Sequence, residues 1–571
     1  MGNFLSWLQR FIIRWTIYLV GTFVIIGIIG VGAFYAAKPY LTGIAEKKLA
    51  AYDIKSGSFE LSLPGKAVLN NVTLPAPNGI KAHAKSLAAR PPVGPFTGVA
   101  TIYDLVIEYD NIKLEIPYMD ISGIALHDKD MSTDSRVLQN LARISLSSLK
   151  VPTINVSVAL PSGNTEKMTI SDFSIYNLKN GIIGSIGMNA LNGSLSLNEI
   201  IHKPEFDMHI NASSNRMSVN NIDIAYAYAL FSGRPTGNKT DAYIFGNVNL
   251  DDVTIDVKAK DKEDMSLKLG HLASNGLKMR TPSQPFEELL KKIQAAKAAD
   301  NKKQEEKDIK EFALVLIHSI TAVNGEMSNV SIKSEKANIS LSDFRLEPQG
   351  WDNNYAIPPQ MNLSLKDLSF DSSNISGHLK EILEMFGLNN QSISGDMRYS
   401  YNQNNKTLSI EDMSFNIGGL ATGNLQAKVI HVDDGLFSAD TDATLQAAEK
   451  LGITDITMNY SDSGFIDHVF EAVSKTVQPN DVDGMKKELY EDLEIVLVAS
   501  PQSLLRDPQQ AKEVAETFRT FAQNPKQLRI NIKAKDANGL TLNDLANTTG
   551  SDEQDGLALL LEKINLDVKA N

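Results

Sequence analysis

The sequence predicts a mainly β (α+β) protein. A single N-terminal transmembrane helix leads into a long, bulged, mostly antiparallel β-sheet body carrying a few amphipathic helices. Three observations support this. Residues 15–37 form an apolar run without a charge. After Pro39, short segments of period-two alternation recur between clusters of Asn, Gly, Ser and Asp, the pattern of half-buried strands. A six-residue motif, Leu/Ile–x–Asp/Asn–apolar–Ser/Thr–apolar, also returns along the chain, its apolar positions out of step with a regular strand.

Composition bounds the function. The 571 residues are 43% hydrophobic and 22% charged, enough for two or three cores. Lys+Arg of 55 against Asp+Glu of 68 leaves a formal charge of −13, which disfavours extended binding to a phosphate backbone. Aromatic residues, at 7%, are too sparse for a single-strand stacking platform. Cysteine is absent, so disulfides, thiolate zinc sites and a thiol nucleophile are excluded together.

The first element is the expected anchor. At 1.5 Å per residue, the run 15–37 spans roughly 30–35 Å, the thickness of a bilayer core. Trp15 and Tyr18 stand at one rim and Phe34 and Tyr35 at the other, with Phe23, Ile25 and Ile28 between them. The run is longer than a signal-peptide core, and no clear small-residue cleavage site follows, so an uncleaved anchor is expected. Arg10 and Arg14 on one side nearly balance Lys38, Lys47 and Lys48 on the other. The short tail 1–14 and the missing cysteines favour tail inside and body outside, which in a bacterium is an inner-membrane span with a periplasmic body.

The repeated motif reads Leu69–Leu74, Ile170–Ile175, Leu250–Ile255, Leu341–Leu346, Leu365–Phe370 and Ile410–Phe415. In the copy at Leu365, Met361, Leu363 and Leu365 share one parity while Leu368 and Phe370 share the other. A regular strand would turn the second half inside out. A β-bulge or tight corner at Lys366-Asp367 restores the face, and Asp or Asn tolerates the unusual backbone angles there. Leu365, Leu368, Phe370, Ile410, Met413 and Phe415 are therefore candidates for one apolar sheet face. A filled core and an open trough call for the same residues, and both readings stand at this stage.

The expected organisation is a tail (1–14), the anchor (15–37), a β-rich region (38–283), a helical and charged interruption (284–321), a second β-rich region (322–440) and a C-terminal α+β module (441–571). A lobe boundary is placed near residue 310. Helical spacing is present at Phe286–Ala299 and, with Leu379, Ile382, Leu383 and Phe386 as its stripe, at Ser376–Phe386. Within the C-terminal module, helices are expected around Thr444–Lys450, Gly464–Thr476, Val482–Leu493 and Gln509–Ala522.

No residues present themselves for catalysis. The nine histidines are scattered without i,i+4 pairs, and no Gly-x-Ser-x-Gly, Walker or His-Glu-x-x-His motif occurs. Asp251-Asp252 and Asp433-Asp434 are expected as turn residues. A non-enzyme is expected, with no cofactor, no metal and no nucleic-acid partner, its protein partners left open.

A short tail, one N-terminal anchor and a long β-rich body with Leu-x-Asp-apolar-Ser-apolar repeats together resemble the AsmA-like proteins and allied periplasmic families of Gram-negative bacteria. The stretches Val248–Lys260 and Leu408–Val429, with Gly418-Gly419 and Gly423, are most similar to that style. The resemblance implies a cell-envelope protein that affects outer-membrane assembly or lipid transport, with phospholipid or another envelope lipid carried along an apolar groove. A non-enzymatic scaffold with a filled core and a protein partner is the alternative expectation.

Overall fold

The computed structural model describes residues 55–571 except 63–65, 75–79, 91–96, 110, 127–143, 161–162, 164, 197–207, 234–240, 260–263, 300, 335–337, 351–354, 356, 372–390, 439–440, 542–543 and 545–558. The expected anchor at 15–37, with Trp15, Tyr18, Phe23, Ile25, Ile28, Phe34 and Tyr35, lies outside the described residues, as does the helix expected at 376–386. Among the described residues no helix is long and apolar enough to cross a membrane. The chain divides into two compact units, Met1–Asp264 and Met265–Asn571.

The first unit is an antiparallel meander. Its strands are β1 (Ser58–Ser62), β2 (Lys66–Leu74), β3 (Lys81–Arg90), β4 (Gly98–Tyr109), β5 (Ile112–Leu126), β6 (Ile144–Ala159), β7 (Thr165–Lys179), β8 (Ile182–Met188), β9 (Ala190–Ser196), β10 (Met208–Ser214), β11 (Arg216–Asp223), β12 (Asp241–Phe245) and β13 (Val248–Ala259). Helix α1 (Ile224–Ser232) follows β11, its N-terminus capped by the Asp223 carboxylate, which accepts from the Tyr226 N–H. β8 and β9 both pair with β7, and β10 and β11 pair with β9 and β8. They are thus two long strands, each broken at a single asparagine, Asn189 and Asn215.

These breaks belong to one line across the sheet. Asn71, Asp104, Asp172 and Asp252 have φ of 52°, 46°, 51° and 51°. On either side of the line the register is unbroken: Asn70↔Ser86 and Val72↔Ala84, then Tyr103↔Tyr118 and Leu105↔Ile116. Side chains join across it, Asn189 Nδ2 donating to Asp172 Oδ2 at 3.0 Å and Asn215 Nδ2 to Asp252 Oδ2 at 2.8 Å. A left-handed residue advances the strand by half a repeat, so two successive side chains point outward and the apolar face resumes. β4 buries Ala100 and Ile102, then Leu105 and Ile107; β6 buries Leu149 and Val151, then Ile154 and Val156. Because neighbouring strands switch parity at the same line, no strand needs an extra residue. A second line holds Asn177 (φ 55°) and Asn221 (φ 52°). Gly184 lies between them, and a Cβ there would stand 2.8 Å from that of Asn177.

The second unit contains β14 (Met265–Arg280), α2 (Phe286–Ala298), α3 (Lys302–Ser319), β15 (Ile320–Ser334), β16 (Asn338–Gln349), β17 (Gln360–Asp371), β18 (Ser392–Asn402), β19 (Thr407–Ile417), β20 (Ala421–Ile430), α4 (Thr441–Ala448), β21 (Gly452–Asp462), α5 (Phe465–Val477), α6 (Val482–Leu504), α7 (Pro508–Gln523), β22 (Gln527–Ala534), β23 (Leu540–Thr541) and β24 (Ile564–Ala570). A line of switches begins here too, with Gly270 facing Asn329 (φ 53°) and Asp367 (φ 52°) on β17. It stops at β18, whose Ile393, Gly395, Met397, Tyr399 and Tyr401 keep a single parity. With only one of two neighbours switching, the pairing slips, and the β17–β18 register shifts between Leu365 and Leu368. β19 switches between two straight neighbours and is bulged at Glu411-Asp412 against both.

Three expectations are revised. Asp343 and Asp412 do not adopt positive φ; opposite the Asp343 copy the left-handed residue is Asn329 on the neighbouring strand. Asp251 and Asp252 are strand residues on the switch line rather than turn residues, because a left-handed Asp can sit inside a strand when its neighbours switch with it. Asp433 does cap a short turn, accepting from the Gly435 N–H at 3.0 Å. The helical interruption lies within the second unit, since β14 before it and β15 after it pair directly, so residue 310 is no boundary between units.

Asp544 is tied back to β23. Its Oδ2 accepts from the Thr541 N–H at 2.9 Å and the Thr541 hydroxyl at 2.8 Å, and Lys563 Nζ donates to its other oxygen. The Lys563 hydrogen bond, followed by those from Thr541, lowers its pKa from 3.8 to about 2. With the folded-state value depressed, the stabilisation is complete above the unfolded value and is lost as pH falls through the folded one. An Asp544→Asn variant is therefore expected to be less stable than the parent at pH 5, with the difference shrinking between pH 4 and 2, as read by urea titrations across about this range.

Candidate functional site

The two units treat their apolar faces differently. From β2 to β8 the face is buried: Leu105 and Ile154 have 0% exposure, and they belong to a cluster running from Leu69 to Ile183. In the second unit, the register assembles an apolar face of comparable breadth that is largely not buried. Phe344 lies opposite Leu365, Leu365 opposite Gly395, Gly395 opposite Phe415 and Phe415 opposite Gly423. A parallel row runs Leu346, Leu363, Met397, Met413, Leu425, Met458 and Ile530.

All six residues expected on one apolar face are on it. Leu365, Leu368, Phe370 and Ile410 are half-buried, while Met413 and Phe415 are 50% and 41% exposed. Phe370 lies opposite Ile339, Leu368 opposite Ile393, and Ile410 between Tyr399 and Ala427. From β15 to β20 no charged residue stands on this face. The opposite face carries the ions: Arg398 pairs with Glu411 at 3.2 Å and Arg345 with Asp343 at 3.0 Å. The Phe415 ring fills the space over Gly423, where a Cβ would collide with it, so a large side chain still leaves a low floor.

Both ends of the strands are built up. At one, Tyr355, Tyr401, Val432 and Phe437 are buried together. Asp434 Oδ1 accepts from the Tyr355 and Tyr401 hydroxyls, each at 3.1 Å, and its Oδ2 accepts from Gln403 Nε2 at 2.7 Å. Burial, then the Asp434 carboxylate, holds the Tyr401 phenol well above its ordinary pKa. Asp434→Ala leaves two buried hydroxyls without this acceptor and is expected to cost about 2–3 kcal/mol, measured by denaturant unfolding.

At the other, α5 begins and α7 ends, and α7 runs beside β24, Gln510 Nε2 donating to the Leu566 carbonyl at 3.2 Å. Phe521 of α7 meets Tyr460 edge-on at 6.1 Å, on the same face as Met458. The Tyr460 hydroxyl donates to Asp462 at 2.7 Å, and Asp462 also accepts from the Gly464 and Ile466 N–H groups at the start of α5. Ala511, Val514, Ala515, Phe521 and Ala522 are the buried side of α7. Asn571 holds its C-terminus, Nδ2 donating to the Thr520 and Asn524 carbonyls at 3.0 and 2.9 Å.

Among the described residues no three His, Asp or Glu side chains gather as a metal site. His209 pairs with Glu166 at 3.2 Å and His271 with Glu326 at 3.9 Å. Sequence reasoning missed Met397, Leu425, Met458 and Tyr460 as members of the face. Their alternation was visible, but strand order and register assign the side.

A family model described as "Uncharacterized protein" matches residues 414–571, well under half of the chain. The match begins in β19 and takes in β20–β24 with α5–α7. None of the curated proteins compared with the chain matches it.

Proposed function

We propose that the protein is a non-enzymatic, inner-membrane-anchored component of a bacterial envelope. Its periplasmic body would handle or transfer lipid along the apolar face of the second unit, in support of outer-membrane integrity. The observation that carries this reading is the uncharged, half-exposed apolar face running across β15–β20, lined by Leu365, Leu368, Phe370, Ile410, Met413 and Phe415. Such a face removes the cost of holding an acyl chain in water, roughly 0.8 kcal/mol per CH₂. The resemblance to AsmA-like proteins supplies the envelope setting, and residues 15–37 supply the anchor. A second reading, an envelope scaffold that binds a protein partner, draws on the first unit, where the apolar face is filled.

The test is photocrosslinking in living cells. A photoreactive amino acid at Leu365 or Phe415 is expected to yield lipid adducts by mass spectrometry, while the same residue at Lys366 or Ser414, on the polar face, yields none. Adducts to protein alone at Leu365 and Phe415 would replace the lipid reading with the scaffold.

A further inference from the structure

The chain has 16 methionines and no cysteine, so thioethers are its only sulfur. Their placement is uneven. Met119 and Met279 are buried, at 0% and 3% exposure, whereas Met413 and Met458 are 50% and 39% exposed. Met413 and Met397 are directly opposed on β19 and β18, and Leu425 alone separates Met413 from Met458 across β20. Met327 and Met361 join the same apolar face from β15 and β17. Methionine suits an adaptable apolar surface. Exposed on a face that has no competing thiol, it is also the group that a peroxide reaches first.

We infer that the Met397–Met413–Met458 row is an oxidation-sensitive modification site that switches off occupancy of the apolar face. This rests on the lipid-handling reading. In the step, the thioether sulfur attacks hydrogen peroxide: an S–O bond forms, the O–O bond breaks, sulfur loses two electrons and water leaves. The product is a sulfoxide whose oxygen needs a hydrogen-bond partner. An acyl chain against this face offers none, so the sulfoxide opposes burial. Reduction by a thiol-dependent reductase would restore the thioether, which makes the change reversible.

The experiment uses the full-length chain, exchanged from detergent into amphipol, with a fluorescent long-chain fatty acid as probe. Peptide mapping after graded hydrogen peroxide should show Met413 and Met458 oxidised well before Met119 and Met279. Probe affinity should fall about tenfold or more over the same doses, the penalty of burying an unpaired polar oxygen. A Met397→Leu, Met413→Leu, Met458→Leu triple variant, compared with its own untreated affinity, should lose less than about twofold over the same doses. Uniform oxidation of all methionines would overturn the inference, as would unchanged binding by oxidised parent or equal loss in the triple variant. If the untreated parent does not bind the probe, the lipid-handling reading fails and the switch with it; oxidation order, read on the same sample, then shows whether the modification site stands apart from that failure.

Discussion

Leu105→Ala is expected to destabilise the first unit by about 2–5 kcal/mol, while Met413→Ala in the second unit costs under about 1 kcal/mol. Both residues are large, apolar and centred on a strand face. Leu105 has no exposed surface and sits within the cluster from Leu69 to Ile183, so truncation removes its transfer energy and leaves a cavity that the surrounding strands cannot fully collapse. Met413 is 50% exposed, so water already reaches it and no closed cavity forms. Denaturant titration of the two variants measures the contrast. Equal losses would mean that the second face is packed in solution, and the case for a binding surface there would fall.

The second large effect concerns the switch lines. Asp252→Val is expected to cost about 2–3 kcal/mol, because a β-branched residue is forced into the left-handed region and the Asn215–Asp252 bond is lost. Asp252→Gly should change stability by less than about 1 kcal/mol, since relief of backbone strain offsets the lost hydrogen bond. The sheet cannot escape the strain locally. Arg216 pairs with Asp251 and Ser213 with Thr254 on either side of the line, so relaxing one strand to regular β geometry would expose the apolar side chains beyond it. Unfolding curves for the Val and Gly variants check this, and equal stabilities would show that positive φ at Asp252 is not required.

The motif made much of this legible. A change of parity inside a strand whose residues must share one face requires a backbone irregularity, and Asp367 with its register shift stands where Leu365–Phe370 implied it. The same reasoning could not tell an isolated bulge from a coordinated line, because the difference lies in what neighbouring strands do. Nor could it anticipate Gly184 and Gly270, which make room for Asn177 and Asn329 across a strand pair. The helices of the C-terminal module were legible from their spacing. α6 runs to Leu504, beyond the expected Leu493, because its later residues, including Pro501, continue the helix without an apolar stripe to announce it.

The order of apolar and polar residues along the chain by itself determined a mainly β body, places where its strands change parity, and the grouping of Leu365, Leu368 and Phe370 on one side of their strand and of Ile410, Met413 and Phe415 on one side of theirs. These follow from local geometry, since alternation and its interruptions are properties of a single strand. Only the tertiary structure decided that Leu105 is buried and Phe415 is 41% exposed. Burial depends on what packs over a face, and alternation along a strand marks a face as apolar without saying what covers it.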